Sequence, residues 1–287
     1  MSADDVARIF AIEDKVERLK AATEGVAAAQ QTINELTRIR RAVIRELHAE
    51  GWTFARIGAA AGLSRARIHQ VSTQGPAPEG LFFGHGPLTL LVPDMRAGRL
   101  MGAPDPAAAP RLAEQLKELG FGVTIEPFAP GRPIDLMRDG LIVLGGPELS
   151  PSLRQLIAGD PRLRRAVARP GDGRRGIEDR AARRIYRPAS PDPHDIAYLA
   201  RLPRLDGRGT ILVIDGLHPP GSLGAVRLLA TRLATLHERA ANRRFSVLIG
   251  VRYERGTGEP VDADLLTPVY LHESVDSRAR PPVRQRR

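Results

Sequence analysis

Residues 74–87 run Gln-Gly-Pro-Ala-Pro-Glu-Gly-Leu-Phe-Phe-Gly-His-Gly-Pro, three prolines and four glycines in fourteen positions. Proline lacks an amide hydrogen and glycine resists ordering, so neither a long helix nor a sheet strand crosses this stretch. The chain must therefore fold in two parts. Residues 1–73 precede the linker at 74–87, residues 88–275 follow it, and residues 276–287 read as a disordered basic tail with five arginines. Phe82 and Phe83 are placed to anchor the linker's end on the second part.

The two parts have different periodicities. Residues 3–50 read as helix, interrupted only by Gly25, with Ser2 as N-cap and Asp4 and Asp5 in the first turn, where carboxylates favour the helix dipole. Apolar residues recur at Ile9, Ile12, Val16, Leu19, Val26, Ile33, Leu36, Val43 and Leu47. Steps of three, four and seven mark one helical stripe. Such a stripe covers a core of its own or zips two copies into a coiled coil, Ala22, Ala29 and Thr37 weakening the seam.

Residues 51–71 carry the sharpest local pattern. Thr53 can cap a helix from Phe54 to Ala61. Gly62 stands where a sharp turn needs a positive φ, Leu63 follows as a buried plug, and Ser64 caps a second helix. Ile57, Gly58, Ala61, Leu63, Ile68 and Val71 fall on the inward side. The outward side of the second helix shows Arg65, Ala66, Arg67, His69 and Gln70, side chains suited to base edges in the DNA major groove. The charge supports this. Residues 1–35 hold four bases against seven acids, whereas residues 36–75 hold seven bases against two acids. The sign reverses on the approach to the two helices, which is more informative than the overall net charge of +10.

Gly62-Leu63-Ser64-Arg65-Ala66-Arg67-Ile68-His69-Gln70-Val71 resembles the recognition segment of region four of bacterial sigma factors, whose usual form is Gly-Val-Ser-Arg-x-Arg-Ile-x-Gln-Ile. Thr53 to Ala61 resembles that family's support helix. The resemblance is confined to residues 53–72, with no counterpart of sigma region two. It implies a helix-turn-helix reader of double-stranded DNA rather than a sigma factor, with Thr53, Arg56, Ser64, Arg65, Arg67, His69 and Gln70 as the DNA-binding residues.

After the linker, strand, loop and helix alternate. Apolar runs at Leu88–Val92, Val123–Ile125, Leu141–Leu144, Ile211–Ile214 and Phe245–Val251 are separated by helical stretches, one carrying Leu112, Leu116 and Leu119 on a single stripe. This predicts a Rossmann-like parallel α/β domain with helices on both faces. Two of the strands run into glycine-rich loops that open helices, at Gly145–Ser150 and Gly216–Gly224. Amides at such helix starts favour anions, so Gly145, Gly146, Ser150, Asp215, His218, Gly221 and Ser222, with Ser152 nearby, are the expected ligand-binding residues for a small anionic ligand. Neither loop is a Walker sequence or a complete Gly-x-Gly-x-x-Gly, and tight turning alone also accounts for them.

The domain also resembles a sensor-like module of actinobacterial regulators, in which a Gly-Pro loop, an Ala-Tyr-Leu-x-Arg segment and a Gly-x-His-x-x-Gly-Ser-x-Gly-Ala loop recur. Here these are Gly145 to Ser150, Ala197 to Arg201 and Gly216 to Ala225. The resemblance carries no activity with it. Between the loops, residues 154–187 hold eleven arginines against four acids, read as a solvated insertion or hairpin around Gly171 to Gly176.

Several classes are set aside. The chain has no cysteine, which removes thiolate metal sites and fits a reducing cytoplasm. No apolar run nears the roughly 20 residues of a membrane span, and the opening residues lack an export signal. Arginine used almost to the exclusion of lysine, with abundant Ala, Gly and Pro, is bacterial GC-rich usage. His85, His194, His218, His237 and His272 are scattered without metal-ligand spacing. No cofactor, metal or catalytic set is expected. The sequence reads as a cytoplasmic, homodimeric, DNA-binding transcriptional regulator with a sensing or oligomerisation domain. The alternatives are a DNA-tethered nucleotide hydrolase using Asp215 and His218 as an acid–base pair, and a structural interaction module with a DNA-binding arm.

Overall fold

A computed structural model of the chain describes residues 3–73, 77–94, 103–165, 175–188 and 192–272. Ser2, the tail at 276–287 and most of the expected hairpin at 171–176 lie outside the described residues. The protein is mixed α/β and divides into two compact units, residues 1–88 with 113–124, and residues 89–112 with 125–287.

The described part of the first unit is mainly helical. It contains α1 (Ala3–Phe10), α2 (Lys15–Ala49), α3 (Phe54–Ala61) and α4 (Arg65–Thr73), then a 3-10 helix at Pro78–Phe83. The single helix expected over residues 3–50 is two. Asp14, with extended backbone, accepts the amides of Val16 and Glu17, both at 2.8 Å, and so starts α2 afresh. Gly25 does not interrupt α2.

Local signals set the next turn. Thr53 Oγ1 accepts the Arg56 amide at 3.2 Å and caps α3, while Ser64 Oγ accepts the Arg67 amide at 3.1 Å and caps α4. Between them Gly62 adopts φ 66°, the left-handed conformation that glycine enters without penalty. Ile57 of α3, Ile68 and Val71 of α4 and Ile44 of α2 form one buried cluster, bordered by Leu47, Trp52, Phe54 and Leu63. Burying each large aliphatic side chain stabilises by about 1.5–3 kcal/mol. Arg41 of α2 donates from Nε to the Ser72 carbonyl at 3.0 Å, fastening the end of α4.

The sequence places a linker at 74–87, but residues 78–83 are ordered and packed. Phe82 and Phe83 are buried, edge to face at 5.3 Å, and Phe83 meets Phe121 at 6.3 Å. Two adjacent phenylalanines bury too much apolar surface to remain in a free tether.

The second unit is built on a mixed sheet. Its strands are β1 (Leu88–Pro93), β2 (Val123–Phe128), β3 (Leu141–Leu144), β7 (His194–Pro203), β8 (Thr210–Gly216), β9 (Phe245–Tyr253), β10 (Pro260–Leu265) and β11 (Tyr270–Leu271). The order is β10-β9-β7-β8-β3-β1-β2, with β11 also on β9. β1, β3 and β8 are parallel, as expected. The wholly parallel sheet is not what forms, because β7 inserts antiparallel between β8 and β9, and β10 is antiparallel to β9. Residues 204–209 between β7 and β8 are too few for a parallel crossover, so the pair must close as a hairpin.

A second antiparallel sheet of three short strands, β4 (Leu163–Arg165), β5 (Ile177–Asp179) and β6 (Arg184–Tyr186), arises in the arginine-dense stretch. The remaining helices are α5 (Ala108–Glu118), which belongs to the first unit from Ala113 on, α6 (Pro151–Ala158) and α7 (Pro219–Ala240). One face of the main sheet, with Val143, Tyr198, Val213 and Leu248, packs on Leu153, Leu156 and Ile157 of α6 and on Leu163 and Ile177 of the small sheet. α7 covers the other face, where Gly224 lets its backbone close on Val251 of β9.

A Cβ placed on Gly58 would lie 2.5 Å from the Leu63 carbonyl oxygen, so the contact between α3 and the turn requires glycine. Gly58→Ala should destabilise the first unit by about 1–3 kcal/mol, read as a lowered thermal midpoint of the helical signal. An unchanged midpoint contradicts this packing.

Candidate functional site

In the first unit the residues expected to meet DNA share one exposed surface. Ile68 and Val71 are buried, and the 3.6-residue period turns Arg65, Arg67, His69 and Gln70 outward, all exposed. Arg67 Nη1 donates to Gln70 Oε1 at 2.6 Å, so these two side chains are held together one turn apart. His69 sits edge-on to Phe54 at 5.9 Å. Arg56 of α3 lies 3.6 Å over the Trp52 ring, which fixes its direction while leaving it exposed. Thr53 and Ser64 are exposed caps. Their hydroxyls accept the amides described above and still have a proton to donate outward.

Not all the charge on the approach reaches solvent. Arg38 is fully buried, Arg41 holds the end of α4, and Arg45 pairs with Glu79 at 2.8 Å. Arg40, Arg45, Arg56, Arg65 and Arg67 are on the surface.

In the second unit the polar groups expected to form one anion-binding crevice are engaged by partners within the protein. The amides of His218 and Gly221 at the start of α7 point at a carboxylate, but it is the protein's own. Asp195 of β7, 1% exposed, accepts them through Oδ2 at 3.0 and 2.8 Å, and its Oδ1 lies 3.1 Å from His218 Nδ1. An internal anion thus occupies the seat that the helix dipole offers. Ser222 Oγ donates to the Pro219 carbonyl at 2.7 Å and accepts the Asp105 amide at 2.8 Å. Ser150 Oγ donates to the Arg132 carbonyl at 2.9 Å and accepts the Ser152 amide, and Ser152 Oγ accepts the Ile134 amide. The Gly145 amide donates to the Ile214 carbonyl at 2.9 Å.

Gly146 and Asp215 are brought together. Asp215, 1% exposed, is paired with Arg165 of β4, which also stands 3.9 Å from Glu148. Asp215 and His218 therefore do not form the acid–base pair weighed from their spacing, since each has a different partner. The sequence reading missed Asp195 and Arg165. The first gave no signal, and the second was one of eleven arginines in its stretch. No group of three metal-ligating side chains occurs among the described residues.

Burial holds the Asp215 carboxyl above its ordinary value, at about 6, with Arg165 pulling it down and Glu148 pushing it further up. The folded chain thus binds this proton more tightly than the unfolded chain. The stabilisation is complete below about pH 4 and is lost as pH rises through about 6. Other carboxylates titrate in the same range, so the comparison with Asp215→Asn isolates the effect. Wild-type stability minus variant stability should fall by up to about 3 kcal/mol between about pH 3 and 7 in denaturant titrations. A flat difference contradicts the buried state of this carboxyl.

No protein-family model, curated protein or solved structure matches this chain.

Proposed function

We propose that the chain is a sequence-specific transcriptional regulator that binds double-stranded DNA as a homodimer in the cytoplasm. In this reading residues 53–72 are a helix-turn-helix, α4 enters the major groove, and the second unit, Rossmann-like in its parallel half, senses a small anionic ligand or sets assembly. One observation carries it. α3 and α4 are locked at a glycine turn with their apolar sides buried, and the free side of α4 presents Arg65, Arg67, His69 and Gln70. Arginine matches guanine O6 and N7, and glutamine matches adenine N6 and N7, each in a paired geometry. Arg40 and Arg56 add cations for phosphates.

The dimer is supported by α2. Leu19, Val26 and Ile33 recur every seven residues, and Ala22, Ala29, Leu36 and Val43 form a second series three positions on. That is an a/d seam, yet Leu19 is 68% exposed, Val26 67%, Ile33 54% and Leu36 62% in the single chain. A second copy of α2 covers the same stripe by symmetry. Two readers then meet half-sites about 34–36 Å apart or a multiple of that.

Selection of the full-length protein on a random duplex library tests the reading. It should return one motif with two half-sites. The Arg65→Ala/Arg67→Ala/Gln70→Ala variant should lose on the order of 1–3 kcal/mol for each residue that reads a base, with relaxed preference at those positions. The same motif and affinity in the triple variant would overturn the assignment of α4.

Val26→Glu with Ile33→Glu places charges in the seam. Light scattering should show a dimer becoming a monomer, with operator affinity falling further than one lost phosphate contact explains. A wild type that is monomeric in solution contradicts the role given to α2.

A further inference from the structure

The Arg165–Asp215 pair lies beside a cavity of about 310 Å3 between α6, β4 and the loop after β3. Pro147, Ile157 and Ala158 give it an apolar wall, and Arg154, Arg164, Arg165 and Glu148 supply its charge. Arg154, Ile157 and Ala158 recur at steps of three and four, so one face of α6 forms a side of the space.

Arg165 is the unusual group here. Its side chain is 17% exposed, and Nη2 reaches Asp215. Nε and Nη1 are buried and, among the described residues, have no hydrogen-bond partner, and neither does Oδ1 of Asp215. A smaller void of about 10 Å3 also borders Arg165, Tyr198 and Asp215. Unmet donors on a buried guanidinium are costly, and such groups in a folded protein call for an explanation. Because Asp215 is already answered by Arg165, the described lining of the cavity carries Arg154 and Arg164 against Glu148. The excess is cationic, and the exposed guanidiniums of Arg154 and Arg164 fit the paired oxygens of a carboxylate or phosphate.

We infer that this cavity binds a small molecule carrying one oxyanion group on an apolar or aromatic body. The oxyanion bonds to Arg154 and Arg164 at the rim, with the cation of Arg165 behind them, and the body rests on Pro147, Ile157 and Ala158. The site falls on the α6 side of the sheet end, away from the start of α7 that Asp195 fills. It takes in Pro147 and Glu148 of the first glycine-rich loop and uses none of the second. The inference rests on the reading of the second unit as a sensor, and is independent of DNA recognition.

The test is calorimetric titration and thermal unfolding of the full chain without DNA, using phenyl phosphate, benzoate, inorganic phosphate and benzyl alcohol. At least one of phenyl phosphate and benzoate should bind saturably and raise the unfolding midpoint, and the stronger of the two identifies the head group. Inorganic phosphate and benzyl alcohol, each lacking one half of the recognised structure, should bind at least about tenfold more weakly, the loss expected from one charge-assisted hydrogen bond or one buried ring. Arg154→Glu with Arg164→Glu alters two exposed side chains and should weaken binding at least about tenfold. Ala158→Trp fills the cavity from an exposed helical position and should abolish binding. Arg227→Glu, on the exposed side of α7, should leave it unchanged. Absence of saturable binding by both ring oxyanions overturns the inference. So does binding of inorganic phosphate equal to that of phenyl phosphate, or full binding by the Ala158→Trp variant. Failure of DNA binding leaves these titrations interpretable, so the two readings fail separately.

Discussion

Arg38 is the largest side chain of the first unit with no exposure, and the surroundings of α2 are organised to hold it. Its Nη2 donates to the Leu119 carbonyl, and its guanidinium lies 4.1 Å from the centre of the Phe121 ring. Burial lowers its pKa, with Glu35 opposing. An arginine in this position stays charged, so the fold must supply a carbonyl and a ring face in place of water. The demand explains why residues 113–124 belong to the helical unit although they are remote in sequence. Asn34, one turn before, donates to the Gly120 carbonyl at 3.5 Å, and Arg41, nearly one turn after, donates to the end of α4. α2 is thus a beam whose polar side chains fasten the chain turns on either side of it, and the exposed face of α4 inherits its position from that beam.

The sheet end of the second unit uses buried charge differently. Asp195 and Asp215 lie on neighbouring antiparallel strands, each 1% exposed. Asp195 is neutralised by the amides that open α7, and Asp215 by one arginine from the small sheet. The amide-bound carboxylate is fully enclosed, whereas the arginine-bound one leaves donors unmet beside a cavity. A ligand bound there acts on DNA recognition only if it favours one arrangement of the chain over another, since equal affinity for both shifts nothing.

What the sequence revealed follows the range of the interactions. Thr53, Gly62 and Ser64 act within three residues of themselves, so both caps and the glycine turn between α3 and α4 were legible, whereas Ala61, expected inward, is exposed and Leu63, expected buried, is half-buried. The parallel core of β1, β3 and β8 was legible as apolar runs. β7 was not, because it is covered on both faces and shows no alternation, while its buried Asp195 and Arg201 disguise it as a polar segment. The ion pair of Arg165 with Asp215 spans fifty positions and the bonds of Asp195 to the start of α7 span more than twenty. No local pattern carries either, so the crevice expected between two glycine-rich loops was drawn with the wrong partners. The charge reversal before α3 was real in count, but Arg38 and Arg41 serve the fold, and Arg45, though exposed, is paired with Glu79.

If α4 enters the major groove as proposed, its outward face lies against DNA. Photo-crosslinking tests it most directly. Ala66, exposed on that face between Arg65 and Arg67, is replaced by a benzophenone amino acid, and Arg227 of α7 is replaced in a separate control. With duplex DNA bound by the full-length protein, irradiation should give a protein–DNA adduct from position 66 and none from position 227. Bound duplex with no adduct from position 66, or no duplex binding at low salt by the unmodified protein, would contradict the account.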